Sequence, residues 1–147
     1  MMNYNVLLSD QVQVAGAIDP DAYTAATYTT GWISMATYNR IMAIVMAGTL
    51  GSSATLDAKL EKATDGSGTG AADITSKAIT QLTQAGTDSD KQAIINCRAD
   101  ELGGAFTHVR LSMTVGTATS DAGAIVLGAL ARFEPATDAT SVADIVA

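Results

Sequence analysis

FTHVRLSMTV, Phe106–Val115, is the stretch that decides the fold class, because Val109, Leu111, Met113 and Val115 alternate with His108, Arg110, Ser112 and Thr114. A period of two is the mark of a strand with one buried and one solvated face. TLDAKLEKA, Thr55–Ala63, repeats the pattern, with Leu56, Ala58 and Leu60 set against Thr55, Asp57, Lys59 and Glu61. Its Ala, Leu, Lys and Glu content suits a helix as well. The flanks decide: GTLGSS before it and TDGSGTG after it are turn signals at strand spacing.

Working outward, further short strands are expected at Asn5–Leu8, Gln11–Ala15, Trp32–Met35, Arg40–Leu50, Lys77–Thr83, Gln92–Ala99 and Ala124–Leu130, with one short helix at Ser34–Tyr38 or Ala71–Ala78. IMAIVMAG, Ile41–Gly48, is the longest apolar run; it is far short of a bilayer span and is expected to be a buried strand. Many short strands, glycine-rich turns and no long amphipathic window point to a mainly β, antiparallel sandwich or barrel-like single domain. No repeat of fixed period is visible.

Charge divides the chain. Before Arg40 stand Asp10, Asp19 and Asp21 with no basic residue, and after Arg132 stand Glu134, Asp138 and Asp144, again unopposed. These six account for all but one unit of the net charge of -7. The expected organisation is an irregular N-terminal arm over residues 1–30, a β-rich core over 31–132 and an acidic C-terminal arm over 133–147. Pro20 after Asp19 supports an irregular connection, and Tyr23 and Tyr28 are placed at the core edge. The C-terminal arm ends in an apolar tip, Val142, Ile145 and Val146, which together with Trp32 are the candidate interface residues.

The composition removes several function classes. With 147 residues, 48% hydrophobic but only 5% aromatic, the core must be built from small and aliphatic side chains. The acidic balance argues against nucleic acid as a partner, since no cationic excess is present to replace counterions on a phosphate backbone. A single Cys and a single His rule out an internal disulfide and a histidine-rich metal cluster. The start lacks a basic segment leading into an apolar one, so neither a secretory signal nor a membrane segment is expected.

Candidate chemistry is thin. TDGSGTG, Thr64–Gly70, lacks the GK[ST] ending of a phosphate loop and reads as a connection between strands. Asp65 and Asp73 flank it without the order of a calcium loop. Cys97 alternates with Ile95 and Ala99 as a small core residue, while His108 lies on a polar face beside Arg110; no nucleophile and base pair is expected. RADE, Arg98–Glu101, reads as surface ion pairing or an intersubunit contact, Trp32 as a core anchor, and Met35, Met42, Met46 and Met113 as fillers of irregular packing. No cofactor and no catalytic residue is expected.

Three segments carry a resemblance: GWISMATYNRIMAIVMAGTLGSSATLDAKLEKATDGSGTG (Gly31–Gly70), DITSKAITQLTQAGTDSDKQAIINCRADEL (Asp73–Leu102) and FTHVRLSMTVGTATSDAGAIVLG (Phe106–Gly128). Together they resemble small structural proteins encoded among the virion genes of tailed bacteriophages. The tail after Gly128 lies outside the resemblance. It implies a noncatalytic virion protein made in the host cytoplasm, a capsid cement or decoration subunit on the head exterior that contacts the major capsid protein and neighbouring copies of itself. A homo-oligomer, a trimer first, is what the resemblance implies. The alternatives are a tail or head-to-tail joining protein and, from another class, a carbohydrate-binding β module for host attachment. An outer position suits a chain of net charge -7, which packaged DNA would repel.

Overall fold

The computed structural model describes residues 5–146. After a one-turn helix α1 (Leu8–Gln11) the chain forms strands β1 (Val12–Tyr23), β2 (Ala26–Thr29), β3 (Ile33–Ser34), β4 (Tyr38–Ala47), β5 (Thr55–Ala63), β6 (Ala72–Ala78), β7 (Leu82–Thr83), β8 (Gln92–Arg98), β9 (His108–Gly116) and β10 (Ser120–Ala131), with a 3-10 turn at Ala99–Glu101. They make two antiparallel sheets. One has the order β1-β10-β4-β8; the other has β2-β9-β5-β6, with β3 also on β9 and β7 also on β5. The sheets stack as a sandwich and do not close into a barrel, so the expected mainly β single domain is what the chain forms.

Alternation fills the space between the sheets. In the six-stranded sheet, Leu56, Leu60, Val109, Leu111 and Met113 are each 0% exposed, and Leu60 stands directly across from Leu111. The four-stranded sheet answers with Ile41, Ala43, Val45, Ile95, Cys97, Ala124 and Val126. Burying each large aliphatic side chain stabilises the fold by about 1.5–3 kcal/mol, and the alanines let the sheets approach where aromatic residues would hold them apart. Cys97 is thus the small core residue its alternation implies, 1% exposed, and burial followed by the nearby Glu101 carboxylate pushes its thiol up to about 11. A proton held that tightly in the folded state makes stability fall as pH rises from the ordinary thiol range through about 11, and full below that range. Native protein at pH 8 is therefore expected to react with a thiol reagent at least 100-fold more slowly than in denaturant, an order-of-magnitude figure for a buried, protonated thiol; comparable rates would show Cys97 to be open.

Several expectations give way. The N-terminal region is not an irregular arm: β1 pairs with β10 from Val12 to Tyr23 and β2 pairs with β9. Two register shifts, at Val14/Gly16 and Ile18/Asp21, break the alternation that would have announced β1. Pro20 is tolerated because β1 is an edge strand. Tyr23 and Tyr28 do meet at the corner where the chain changes sheets, their rings 4.2 Å apart. Residues 1–4 of the expected arm lie outside the described residues, as does Ala147. Neither expected helix forms, since Ser34–Tyr38 is a turn entering β4 and Ala72–Ala78 is β6. The strand expected at Asn5–Leu8 is replaced by the approach to α1. IMAIVMAG is buried on one face only: Ile41, Ala43 and Val45 point inward, whereas Met42 and Ile44 are half-buried and Met46 is exposed. Met42 and Met46 accordingly fill no internal gap, in contrast to Met35 and Met113.

Candidate functional site

The two outer faces of the sandwich differ in chemistry. Over the six-stranded sheet the side chains are ionic: Arg110 Nε meets Glu61 Oε2 at 2.7 Å, and Lys59 Nζ meets Asp73 Oδ1 at 2.7 Å. The Arg110 guanidinium also lies over the Trp32 ring, 4.5 Å from its centroid. Trp32 is therefore half-buried on the outside of the sheet and not a core anchor; Ile33, the next residue, takes the inward position. The loop after β5 closes on it. Gly68, at φ +86°, sits so near the indole that a Cβ there would come within 2.7 Å of Trp32 Nε1.

That loop is TDGSGTG, and its one carboxylate is already engaged. Asp65 Oδ1 accepts the backbone N–H groups of Ser67 at 2.9 Å and Thr69 at 3.1 Å, and hydrogen bonds from Thr69 first of all hold its pKa below the ordinary carboxylate value. Asp73, on β6, is committed to Lys59. Among the described residues no group of three or more His, Cys, Asp or Glu side chains is arranged to hold a metal ion. Cys97 and His108 are on different sheets, the thiol facing inward and the imidazole outward with Nδ1 2.8 Å from Thr107 Oγ1. RADE forms the ion pairing read from its sequence, with Arg98 Nε 3.2 Å from Asp100 Oδ1, and Glu101 instead reaches Lys77 at 3.0 Å.

The C-terminal segment begins by folding back. Arg132 N–H donates to Thr37 O at 2.9 Å, Tyr38 OH donates to Thr137 O at 3.3 Å, and Val14 N–H donates to Asp138 Oδ1 at 2.6 Å. Ala139 N–H then donates to Val14 O at 2.7 Å. Val14 belongs to edge strand β1, so these two bonds occupy main-chain groups that would otherwise face outward beside the first bulge. The segment is thus an edge cover as far as Ala139. Beyond it Val142 is half-buried, while Ile145 is 52% and Val146 89% exposed. Of the four candidate interface residues, the structure brings the three of the tip into one short segment and leaves Trp32 apart, at a groove of about 720 Å³ shared with Tyr38, Arg132 and Phe133. That groove offers Phe133 as an open ring at 81% exposure; Tyr38 is buried, and Arg110 covers a face of Trp32.

The sequence reading missed the outer face of the four-stranded sheet. Met42, Ile44 and Met46 of β4 stand beside Leu127, Ile125 and Gly123 of β10, and Ile44 also stands beside Ile94 of β8, itself 57% exposed. The signal was present in the unbroken apolar run of β4, where the alternate side chains were assigned to a second buried layer that the fold does not supply. No helix among the described residues is long and apolar enough to cross a membrane.

No family model matches the chain, and no curated protein matches it. Among solved structures it is similar to two of infectious bursal disease virus, of the Gx and Gt strains, over 84% and 82% of its length at 12% identity in each case, with TM-scores of 0.45 and 0.47. It spans about a third of those chains, 32% and 33%. The CBM22-1 xylan-binding domain of Paenibacillus barcinonensis Xyn10C is similar over 81% of this chain and 85% of its own, at 14% identity and a TM-score of 0.37. Likeness at this level identifies no shared site and no shared partner.

Proposed function

We propose that this chain is a noncatalytic structural subunit of a virus particle, of the kind the tailed bacteriophages place on the outside of the head. The observation that carries the reading is the C-terminal segment: it is anchored on its own domain through Asp138 and Ala139, then presents Ile145 and Val146 to solvent. An apolar tip on a tethered segment is costly to leave in water and is ordered by a complementary surface. Such a surface recurs on a capsid lattice. Three groups singled out in the sequence are taken up by the fold itself: the Cys97 thiol by the core, the His108 imidazole by Thr107 and the Asp65 carboxylate by backbone N–H groups. In this reading the partners are the major capsid protein and further copies of the chain.

The geometry dictates where a truncation must begin. Removing residues 138–147 would also strip Val14 of both partners, so loss of binding and loss of edge protection would be confounded. Deletion of residues 144–147 removes Ile145 and Val146 and leaves those bonds intact. Burial of two aliphatic side chains contributes about 3–5 kcal/mol before ordering costs, so the shortened chain is expected to keep its circular dichroism spectrum and to decorate particles lacking this protein at least 10-fold more weakly. Cryo-EM of intact particles then locates the chain. Density on the head lattice supports the proposal; density confined to neck or tail, or equal decoration by the shortened chain, removes it.

A further inference from the structure

We propose that the open face of the four-stranded sheet is a self-association surface, on which a second copy of this chain packs with its strands reversed about a two-fold axis. The positions of charge on the face select this occupant whatever role the chain has in a particle. Across β10, β4 and β8, Ile125, Ile44 and Ile94 stand in register as one aliphatic row, flanked by the half-buried Leu127 and Met42 on one side and the exposed Met46 on the other. Within these three strands the ionised residues are Arg40, Arg98 and Asp121, and all three stand at the margins. Arg40 precedes Ile44 by four positions and Arg98 follows Ile94 by four; these two arginines are cross-strand neighbours. At the opposite margin Asp121 precedes Ile125 by four and Asp90 precedes Ile94 by four, on either side of Gly48, whose N–H donates to Asp121 O and whose carbonyl accepts from Asp90 N–H. Beyond the strand ends Lys77, Asp100 and Glu101 border the arginine margin and Lys91, paired with Asp88, borders the other, so one end of the face is net cationic and the other net anionic, each about 13 Å from an uncharged aliphatic row.

That antisymmetry selects the occupant and its orientation. A two-fold axis running along the isoleucine row places β4 on β4 with direction reversed, so that each copy's Arg40 and Arg98 come over the partner's acidic margin. An axis along the strands would stack arginine on arginine. Face-to-face sheets cross at about 30°, which displaces Arg40 sideways by one to two strand spacings at this distance. Either sense of displacement leads from Gly48 to an aspartate, Asp121 on one side or Asp90 on the other. The acidic margin is also recessed, a groove of about 690 Å³ walled by Pro20 and Asp21 and floored by Gly123. Arg40 makes no ion pair among the described residues, and Arg98 makes an exposed one with Asp100 that can exchange partners. The face spans four strands by about eight residues, roughly 500 Å² per copy, which doubled to about 1,000 Å² is the size of a weak, reversible pair. For this face an isologous pair takes the place of the expected trimer, because the charge pattern is self-complementary under a two-fold and not under a threefold operation.

Sedimentation equilibrium of the full chain at low ionic strength tests this. The wild type is expected to form a dimer that weakens with added salt, and Ile94→Asp, which buries a charge at the row, is expected to be monomeric. Arg40→Glu/Arg98→Glu makes both margins acidic, and Asp90→Lys/Asp121→Lys makes the second margin basic; each alone is expected to lose at least about 10-fold in self-affinity. Mixed in equal amounts, the two variants restore opposite charges at both margins and are expected to recover a heterodimer. A wild type that stays monomeric at every soluble concentration, a trimer, or variants that fail to associate when mixed while retaining the wild-type circular dichroism spectrum would each overturn the proposal. If a charge variant misfolds, Ile94→Asp decides alone: a dimer that survives it is held elsewhere.

Discussion

Leu111→Ala is expected to lower the free energy of unfolding by about 3–5 kcal/mol in urea denaturation, against about 0.5 kcal/mol or less for Ile94→Ala measured in dilute protein where the chain is monomeric. Both substitutions remove the same number of carbon atoms from a strand. They differ in what surrounds those atoms. Leu111 is 0% exposed in the middle of β9, faces Leu60 across the ladder, and is locked at its backbone by Thr30, whose Oγ1 accepts the Leu111 N–H at 3.0 Å and whose own N–H donates to Leu111 O at 3.0 Å. With the main chain fixed from both sides, the neighbours have little freedom to collapse into the space left, which is the condition for the upper half of the range. Ile94 keeps 57% of its surface in water, so its truncation exposes little and leaves no cavity. Equal losses for the two would mean that the outer face is already covered within one chain, and the reading of that face as open would fall.

The contrast shows what the sequence reports and what it conceals. β5 and β9 were legible because the register between them is unbroken from Thr55 to Ala63 and neither holds a proline, so that the physical alternation survives in the text even where β5 meets an irregularity against β6; for β5 the expected and observed bounds coincide at Thr55–Ala63. β1 was legible only at its start, where the strand expected at Gln11–Ala15 overlaps it, because a bulge shifts the parity of every later residue and Val12–Tyr23 contains two register shifts. Its strand character is a property of pairing with β10, which no local window contains. β4 posed the opposite difficulty. A run that is apolar at every position has no parity to read, and the second layer that its length suggested is missing from the fold. Trp32 was misplaced for a related reason: size and hydrophobicity argue for the core, but a guanidinium at 4.5 Å and a glycine loop provide a half-buried seat on the surface. The apolar tip at Val142, Ile145 and Val146 was legible, whereas the anchoring of the segment at Val14 depends on residues more than a hundred positions apart.

The second large effect is expected at Gly128. Strand β10 carries it on the inner face opposite Ile41, and the ring of Tyr38 lies over it so closely that a methyl group built there would overlap Cγ, Cδ1 and Cε1. Tyr38 is 5% exposed and reaches the carbonyl of Thr137, the residue before the bonds that fasten the C-terminal segment to β1. Gly128→Ala therefore forces the ring out of its seat, and the loss of its packing and of the hydrogen bond is expected to cost about 2–4 kcal/mol, against the gain of roughly 0.5–1 kcal/mol that alanine ordinarily has over glycine in a strand. A displaced ring makes a second, sharper demand. Tyr38→Ala alone should cost about 3–5 kcal/mol, but in a background that already carries Gly128→Ala it should cost about 1–3 kcal/mol less, because the methyl then occupies space that the ring has vacated. Urea denaturation of the four proteins completes the cycle. Additive costs would show that the ring and the glycine do not share a seat, and the closure of this end of the sandwich, with the fastening of the C-terminal segment that follows from it, would need another cause.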